Sequence, residues 1–227
     1  MKKSILGIAI VLFVALFTFV GCEKDKSAEV LSTYEEYLKS SGGANDFSYV
    51  SMDLFGLQGE DKKIDKEDIP LPVANELASY YYEDRDVTEI VSAEGVIDAK
   101  QEIKEDVATS SISASGVKIK YKYNTVKLDE DGAWELDEED NPVILKENLE
   151  DTFVLSGKLN NKLEGKKNLI SMSCSGIVVD KVSFSDVEAS AYLSTMKFIS
   201  CKVNGRDVPL TLIENENVLE NLIYSIF

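Results

Sequence analysis

Beyond residue 87 the chain repeats with a period of two, and that period restricts it to β-sheet with one buried face. Val117, Ile119, Tyr121 and Tyr123 alternate with Lys118, Lys120 and Lys122. Ile170, Met172 and Cys174 alternate with Ser171, Ser173 and Ser175, and Val187, Ala189, Ala191 and Leu193 repeat the pattern. Successive side chains of a strand point to opposite faces, so each stretch has an inner and a wet side. Ile199, Cys201 and Val203 lead into Asn204-Gly205, a pair suited to a two-residue hairpin turn. Val208, Leu210 and Leu212 are the expected returning strand, and weaker strands are expected near 89–99, 133–136, 143–145 and 153–159.

The first third has a different period. Val30, Leu31, Tyr34, Tyr37 and Leu38 share one helical face, with Ser27 as N-cap and Gly42-Gly43 as the expected stop after about Ser40. Val73, Leu77, Tyr80 and Tyr81 define a second helix from about Pro72 to Tyr82, and Gly59 to Asp68 reads as a charged loop. Val218, Leu219, Leu222, Ile223 and Ile226 form a stripe that predicts a closing helix. The expected fold class is α+β: N-terminal helices, an antiparallel β-meander of sandwich or barrel-like form, and a C-terminal helix. Ser-Gly recurs at Ser115, Ser156 and Ser175, but the intervals of 41 and 19 are unequal and define no sequence repeat.

Composition removes several chemistries. The 227-residue chain carries a formal charge of −17, which repels nucleic acid. It contains no histidine, so imidazole-based nucleophilic and acid–base catalysis is absent, along with the commonest metal ligand. No GxGxxG or P-loop run is present, and no cofactor is expected.

The N-terminus carries the one resemblance to a known class. Met1-Lys2-Lys3 is followed by an almost wholly apolar run from Ile5 to Val20, about the length of a signal-peptide core and short for a membrane span. The run closes in Phe19-Val20-Gly21-Cys22 and turns polar at Glu23. These residues resemble the lipobox of bacterial lipoproteins. The resemblance implies cleavage before Cys22, a diacylglyceryl group on the Cys22 sulfur and acylation of the new amine. On that reading 1–21 is an export signal and 22–27 a tether. One mature domain spans 28–227, helical over about 28–84, β-rich over about 87–212 and helical again from about 214. It works outside the cytoplasm, attached to a bacterial membrane through its lipid.

Three clusters are candidates for chemistry. Cys174 and Cys201 both lie on the apolar phase of expected strands, either bridged in an oxidising compartment or buried as thiols. The acids between Asp129 and Asp140 place Asp129, Asp131, Gly132 and Glu138 at four EF-hand positions. Lys127 occupies the first ligand position, however, so a turn with solvated carboxylates fits better. The Lys118, Lys120, Lys122 row is expected to pair with acids on neighbouring strands rather than to bind a partner. The expected function is a non-enzymatic envelope lipoprotein that binds an envelope protein or a small ligand. The alternative is an extracytoplasmic hydrolase using Asp/Glu carboxylates.

Overall fold

The computed structural model describes residues 24–51, 61–65, 69, 71–195 and 197–213. Its elements in chain order are α1 (Lys24–Tyr49), β1 (Asp61–Lys63), α2 (Leu71–Tyr81), β2 (Arg85–Lys104), β3 (Val107–Val126), β4 (Ile144–Glu164), β5 (Leu169–Val179), β6 (Val182–Ser183), β7 (Val187–Tyr192), β8 (Lys197–Val203), β9 (Arg206–Asp207) and the single turn α3 (Leu210–Ile213). All strands join one nine-stranded sheet of order β1-β2-β3-β4-β5-β7-β8-β9, with β6 paired to β5 beside that path. Every pairing is antiparallel.

This corrects the α+β expectation. Among the described residues the protein is mostly β, about 56% strand against 22% helix, and these strands form one open sheet rather than a sandwich or barrel. The discrepancy comes from strand length. β2, β3 and β4 run 20, 20 and 21 residues, through stretches such as Asp98–Lys104 and Lys146–Glu150 that show no apolar alternation. Their backbones are held by the neighbouring strand, so pairing continues where side-chain pattern stops. The expected strands near 143–145 and 153–159 are one strand, β4. The returning strand after Asn204-Gly205 is only Arg206–Asp207, and Leu210 and Leu212 lie in α3. The expected C-terminal helix lies outside the described residues, as do the export segment and Cys22.

Within the stretch expected as a tether, Lys24–Ser27 are helical and belong to α1. Gly42-Gly43 does not end that helix, which continues to Tyr49. Tertiary packing overrides the weak helix propensity of glycine here. A Cβ on Gly43 would meet the Phe184 ring at 2.3 Å, so the glycine lets α1 lie directly against the turn after β6. Tyr37, Ala44 and Phe47 are buried along α1, with Val50 just past its end, and the helix crosses β4, β5, β7 and β8. Glu36 fastens the helix: its carboxylate accepts from Ser185 Oγ at 2.5 Å and Asn204 Nδ2 at 2.9 Å, and pairs with Arg206. Helix α2 covers the other flank. Asn75 Oδ1 accepts from the Val87 N–H at 2.7 Å while its Nδ2 donates to the Val87 carbonyl at 3.2 Å, so an amide side chain occupies the open edge of β2.

A line of glycines crosses four strands. Register shifts fall between Glu94 and Val96, between Ala114 and Val117, and between Ser156 and Lys158. Gly95, Gly116, Gly157 and Gly176 sit at these shifts with φ of 114°, 61°, 128° and 59°. A Cβ on Gly95 would stand 2.5 Å from Val117 Cα, and one on Gly157 would stand 2.7 Å from Ile177 Cα. These are bulges at which the backbone bends and neighbouring chains come close. The recurring Ser-Gly pairs are therefore related in space, one glycine per strand, with Glu94-Gly95 as the fourth member.

Two neighbouring glycines of α1 give opposed expectations. Gly42→Ala, where a Cβ meets nothing within 4 Å, should stabilise the protein by about 0.5–1 kcal/mol. Gly43→Ala should destabilise it through the Phe184 ring, and Gly157→Ala should cost about 1–3 kcal/mol. Urea unfolding of the three variants measures the order.

Candidate functional site

The sheet has a helix-covered face and an open one. Leu155, Leu159, Ile170, Met172, Cys174, Val187, Ala189 and Cys201 line the covered side and are buried. The residues between them point the other way, and the strand register aligns them into rungs. One rung runs Lys100, Ser111, Asn160, Ser173, Glu188, Lys202 from β2 to β8. The next runs Glu102, Thr109, Lys162, Ser171, Ser190, Ser200. These rungs border a trough of about 1150 Å³. Its walls are hydroxyls, an amide and the ends of a few charged side chains, and Ser110, Asn161, Met172 and Ala189 contribute to its floor between the rungs. At a strand spacing of roughly 4.8 Å, six strands give it a length of about 24 Å.

Cross-strand bonds tie the hydroxyls together. Asn160 Nδ2 donates to Ser173 Oγ at 3.3 Å, and the Ser190 and Ser200 hydroxyls meet at 2.7 Å. Two lysines pair along their own strands, Lys100 with Asp98 at 2.5 Å and Lys162 with Glu164, and Lys202 reaches Asp207 of β9 at 3.9 Å. Hydrogen bonds from Lys162 and Lys167 hold the Glu164 carboxyl below the usual range. Beyond the glycine line the open face has another character. Lys118 pairs with Glu94 at 3.7 Å, Lys120 with Glu150 at 2.6 Å and Lys122 with Glu89 at 2.7 Å, so long paired side chains cover the sheet there. The lysine row thus pairs across strands, as its pattern suggests.

A second polar cluster joins α2 to the far end of β2, β3 and β4. Arg85, only 10% exposed in its side chain, donates to Asp151 at 2.8 Å and to the Tyr121 hydroxyl at 2.5 Å. Its guanidinium lies 3.5 Å from the Tyr82 ring centre and 4.3 Å from that of Tyr123. Lys181 also reaches Asp151 at 2.6 Å, and the Tyr82 hydroxyl donates to Asp180 at 2.6 Å. Burial pushes the Asp151 carboxyl up, but hydrogen bonds from Lys181, the Thr152 N–H and Arg85 outweigh it and leave the group below its ordinary value. Burial raises the Tyr121 hydroxyl to about 12. The void bordered by Tyr82, Tyr121 and Phe153 is only about 10 Å³, at the lower limit for one water. The cluster is a latch with its groups mutually satisfied. Of the three consecutive tyrosines, Tyr82 is thus a ring against Arg85, and Tyr81 packs 6.1 Å from Phe153.

The other sequence candidates are placed as follows. Cys174 and Cys201 are two free, buried thiols. Strand β7 lies between them, Cys174 opposite Val187 and Cys201 opposite Ala189. Two strand spacings amount to about 9–10 Å. A disulfide needs Cα atoms within about 7 Å, so of the two alternatives the strand order leaves two core thiols. Burial raises them to about 11 and about 12, the unreactive protonated form. In the acidic segment, Asp129 Oδ1 accepts from the N–H groups of Asp131 and Ala133, and Asp137 Oδ1 from those of Glu139 and Asn141. The segment is two consecutive Asp-closed turns, and Trp134 Nε1 donates to the Glu83 carbonyl at 2.8 Å to hold it against the domain. The trough residues were visible in sequence only as the outer phase of single strands. Their convergence depends on registers set by the bulges.

Compared with protein-family models, curated proteins and solved structures, the chain matches none.

Asp151→Asn removes the charge that Arg85 and Lys181 share, and should destabilise the protein by about 1–3 kcal/mol at neutral pH. Because the carboxyl lies below its unfolded value of about 4, its contribution is full above that pH and is lost as pH falls through the lower, folded value. Chemical denaturation as a function of pH should show the gap between wild type and variant closing below about pH 4.

Proposed function

We propose that the protein is a bacterial envelope lipoprotein, anchored through Cys22, whose open sheet face binds a hydrophilic envelope component or small ligand without transforming it. The observation that carries the binding reading is the trough of about 1150 Å³ lined by side chains of six adjacent strands. Concave sites with several convergent polar groups are where ligands bind. The lipobox-like Phe19-Val20-Gly21-Cys22 supports the anchor, since two or more acyl chains hold a protein stably at a membrane.

The hydrolase alternative asks for two carboxylates roughly 5–9.5 Å apart across a substrate. Glu102 and Glu188 border the trough, but they stand on β2 and β7, four strand intervals or about 19 Å apart. Asp151 and Asp180 belong to the latch, beside a void too small for a substrate. Neither arrangement lends support to hydrolysis, and the missing imidazole removes the other common routes.

Two measurements test the reading. Mass analysis of the protein from bacterial membranes should show a lipidated Cys22 as first residue, and an intact Met1 would refute the anchor. Thermal melts against a library of water-soluble cell-wall fragments and polar metabolites should find compounds that raise the Tm of wild type. The shift should vanish in Ser173→Trp, which fills the trough from the solvent side. Equal shifts in both proteins, or none in wild type, would sink the binding reading.

A further inference from the structure

We infer that the trough is built for an uncharged oligosaccharide lying across the strands; this rests on the binding reading above.

The lining chemistry selects the class. Thr109, Ser111, Ser171, Ser173 and Ser200 each offer a hydroxyl that both donates and accepts, and Asn160 adds an amide with both capacities. Such groups match a ligand whose own surface is hydroxyl and amide, in whatever sense each ligand group points. The large apolar side chains Leu159 and Ile170 are buried on the other face, and the apolar part of the floor comes from Met172 and Ala189 between the polar rungs. The charged residues come in both signs and stand mostly at the two ends. Lys100 and Glu102 lie on β2, Glu188 and Lys202 on β7 and β8, and the central Lys162 is paired with Glu164. A polyanion would need an excess of cations, which this arrangement does not supply.

Position and length narrow the class further. An extended peptide gains most of its affinity by adding to a sheet edge, where main-chain groups are free. The trough instead lies mid-sheet, where β3, β4, β5 and β7 are each paired on both sides, so it offers a ligand side-chain groups. A run of about 24 Å exceeds a monosaccharide and suits a chain of several sugars. One rung beyond Ser190, Tyr192 is 47% exposed on the same face and provides a ring on which a terminal sugar can stack.

The experiment is calorimetric titration of the full-length mature protein in detergent with four probes: cellohexaose, chitohexaose, a heparin hexasaccharide and a decapeptide of Ser, Asn and Gly. At least one uncharged hexasaccharide should bind. Ser173→Trp and Ser111→Arg should each weaken it about ten-fold or more, and Tyr192→Ala should weaken it less. Lys120→Ala, in the ion-paired half of the face, should leave binding unchanged, and circular dichroism of each variant separates lost binding from lost folding. Heparin or peptide binding that Ser173→Trp abolishes, without saccharide binding, would overturn the saccharide assignment and leave the binding trough standing. Saccharide binding that survives Ser173→Trp would overturn the placement. Silence from all four probes overturns the saccharide assignment. It leaves the binding reading to the melts with the wider library.

Discussion

The line of glycines at positions 95, 116, 157 and 176 is the constraint on which the rest of the sheet depends. Strands of about 20 residues accumulate twist along their length, and a flat sheet of that size neither covers its helices nor keeps its register. At the glycines the backbone takes positive φ, the register shifts, and the strands approach so closely that a Cβ on Gly95 or Gly157 would collide with the neighbouring main chain. The device occurs twice, once in the β2–β3 hairpin and once in the β4–β5 hairpin, with a glycine of wide φ facing one of narrow φ each time. The repetition is what makes the bend continuous across four strands.

That bend divides the open face into two regions with different work to do. On one side, Lys118, Lys120 and Lys122 reach across to Glu94, Glu150 and Glu89, and their long stems lie over the sheet. Exposed pairs of this kind add little to stability, and their effect is to keep a broad polar surface solvated and unattractive to other sheets. On the other side the same alternating phase is held mostly by serine, threonine and asparagine, with lysine and glutamate chiefly at the two ends, and the short side chains leave the hollow. The difference in residue length across the glycine line is thus the origin of the trough.

The sequence made the strand phases legible and hid their arrangement. Val117 to Tyr123 and Ile170 to Ser175 carry a clear period of two, and their inner and outer faces are those the alternation predicts. Asn204-Gly205 does form the hairpin, with Val203 opposite Arg206. What failed was anything that depends on a neighbour. Charged stretches of β2 and β4 became strand because the adjacent strand holds their backbone. Gly42-Gly43 stayed helical because Phe184 fills the space a side chain would take. Ile199 reads as an inner residue yet is 40% exposed, because the register slips between Ser190 and Ala191 and brings Phe198 inward instead. The cysteines illustrate the same limit: alternation put both on the buried face, and only the strand order shows β7 between them. The trough shares that limit, since Ser111, Asn160 and Ser173 come from three strands and no local pattern relates them.

The helices then determine which face stays open. Helix α1 is held to the covered side at three points along its length: Glu36 on Ser185, Asn204 and Arg206; Gly43 under Phe184; and Tyr49, whose hydroxyl donates to Glu76 of α2 at 2.6 Å. Because α1 begins at Lys24, an anchor at Cys22 would join the membrane to a helix rather than to a loose tether. A helix rises about 1.5 Å per residue, so the twelve positions from Lys24 to Glu36 amount to about 18 Å of strut before the first fastening point. A lipid fixed at one end of that strut and a trough on the opposite side of the sheet are compatible demands. Helix α1 packs against β4, β5, β7 and β8 on the covered face, so an anchor attached ahead of it would leave the hydroxyl-lined face open.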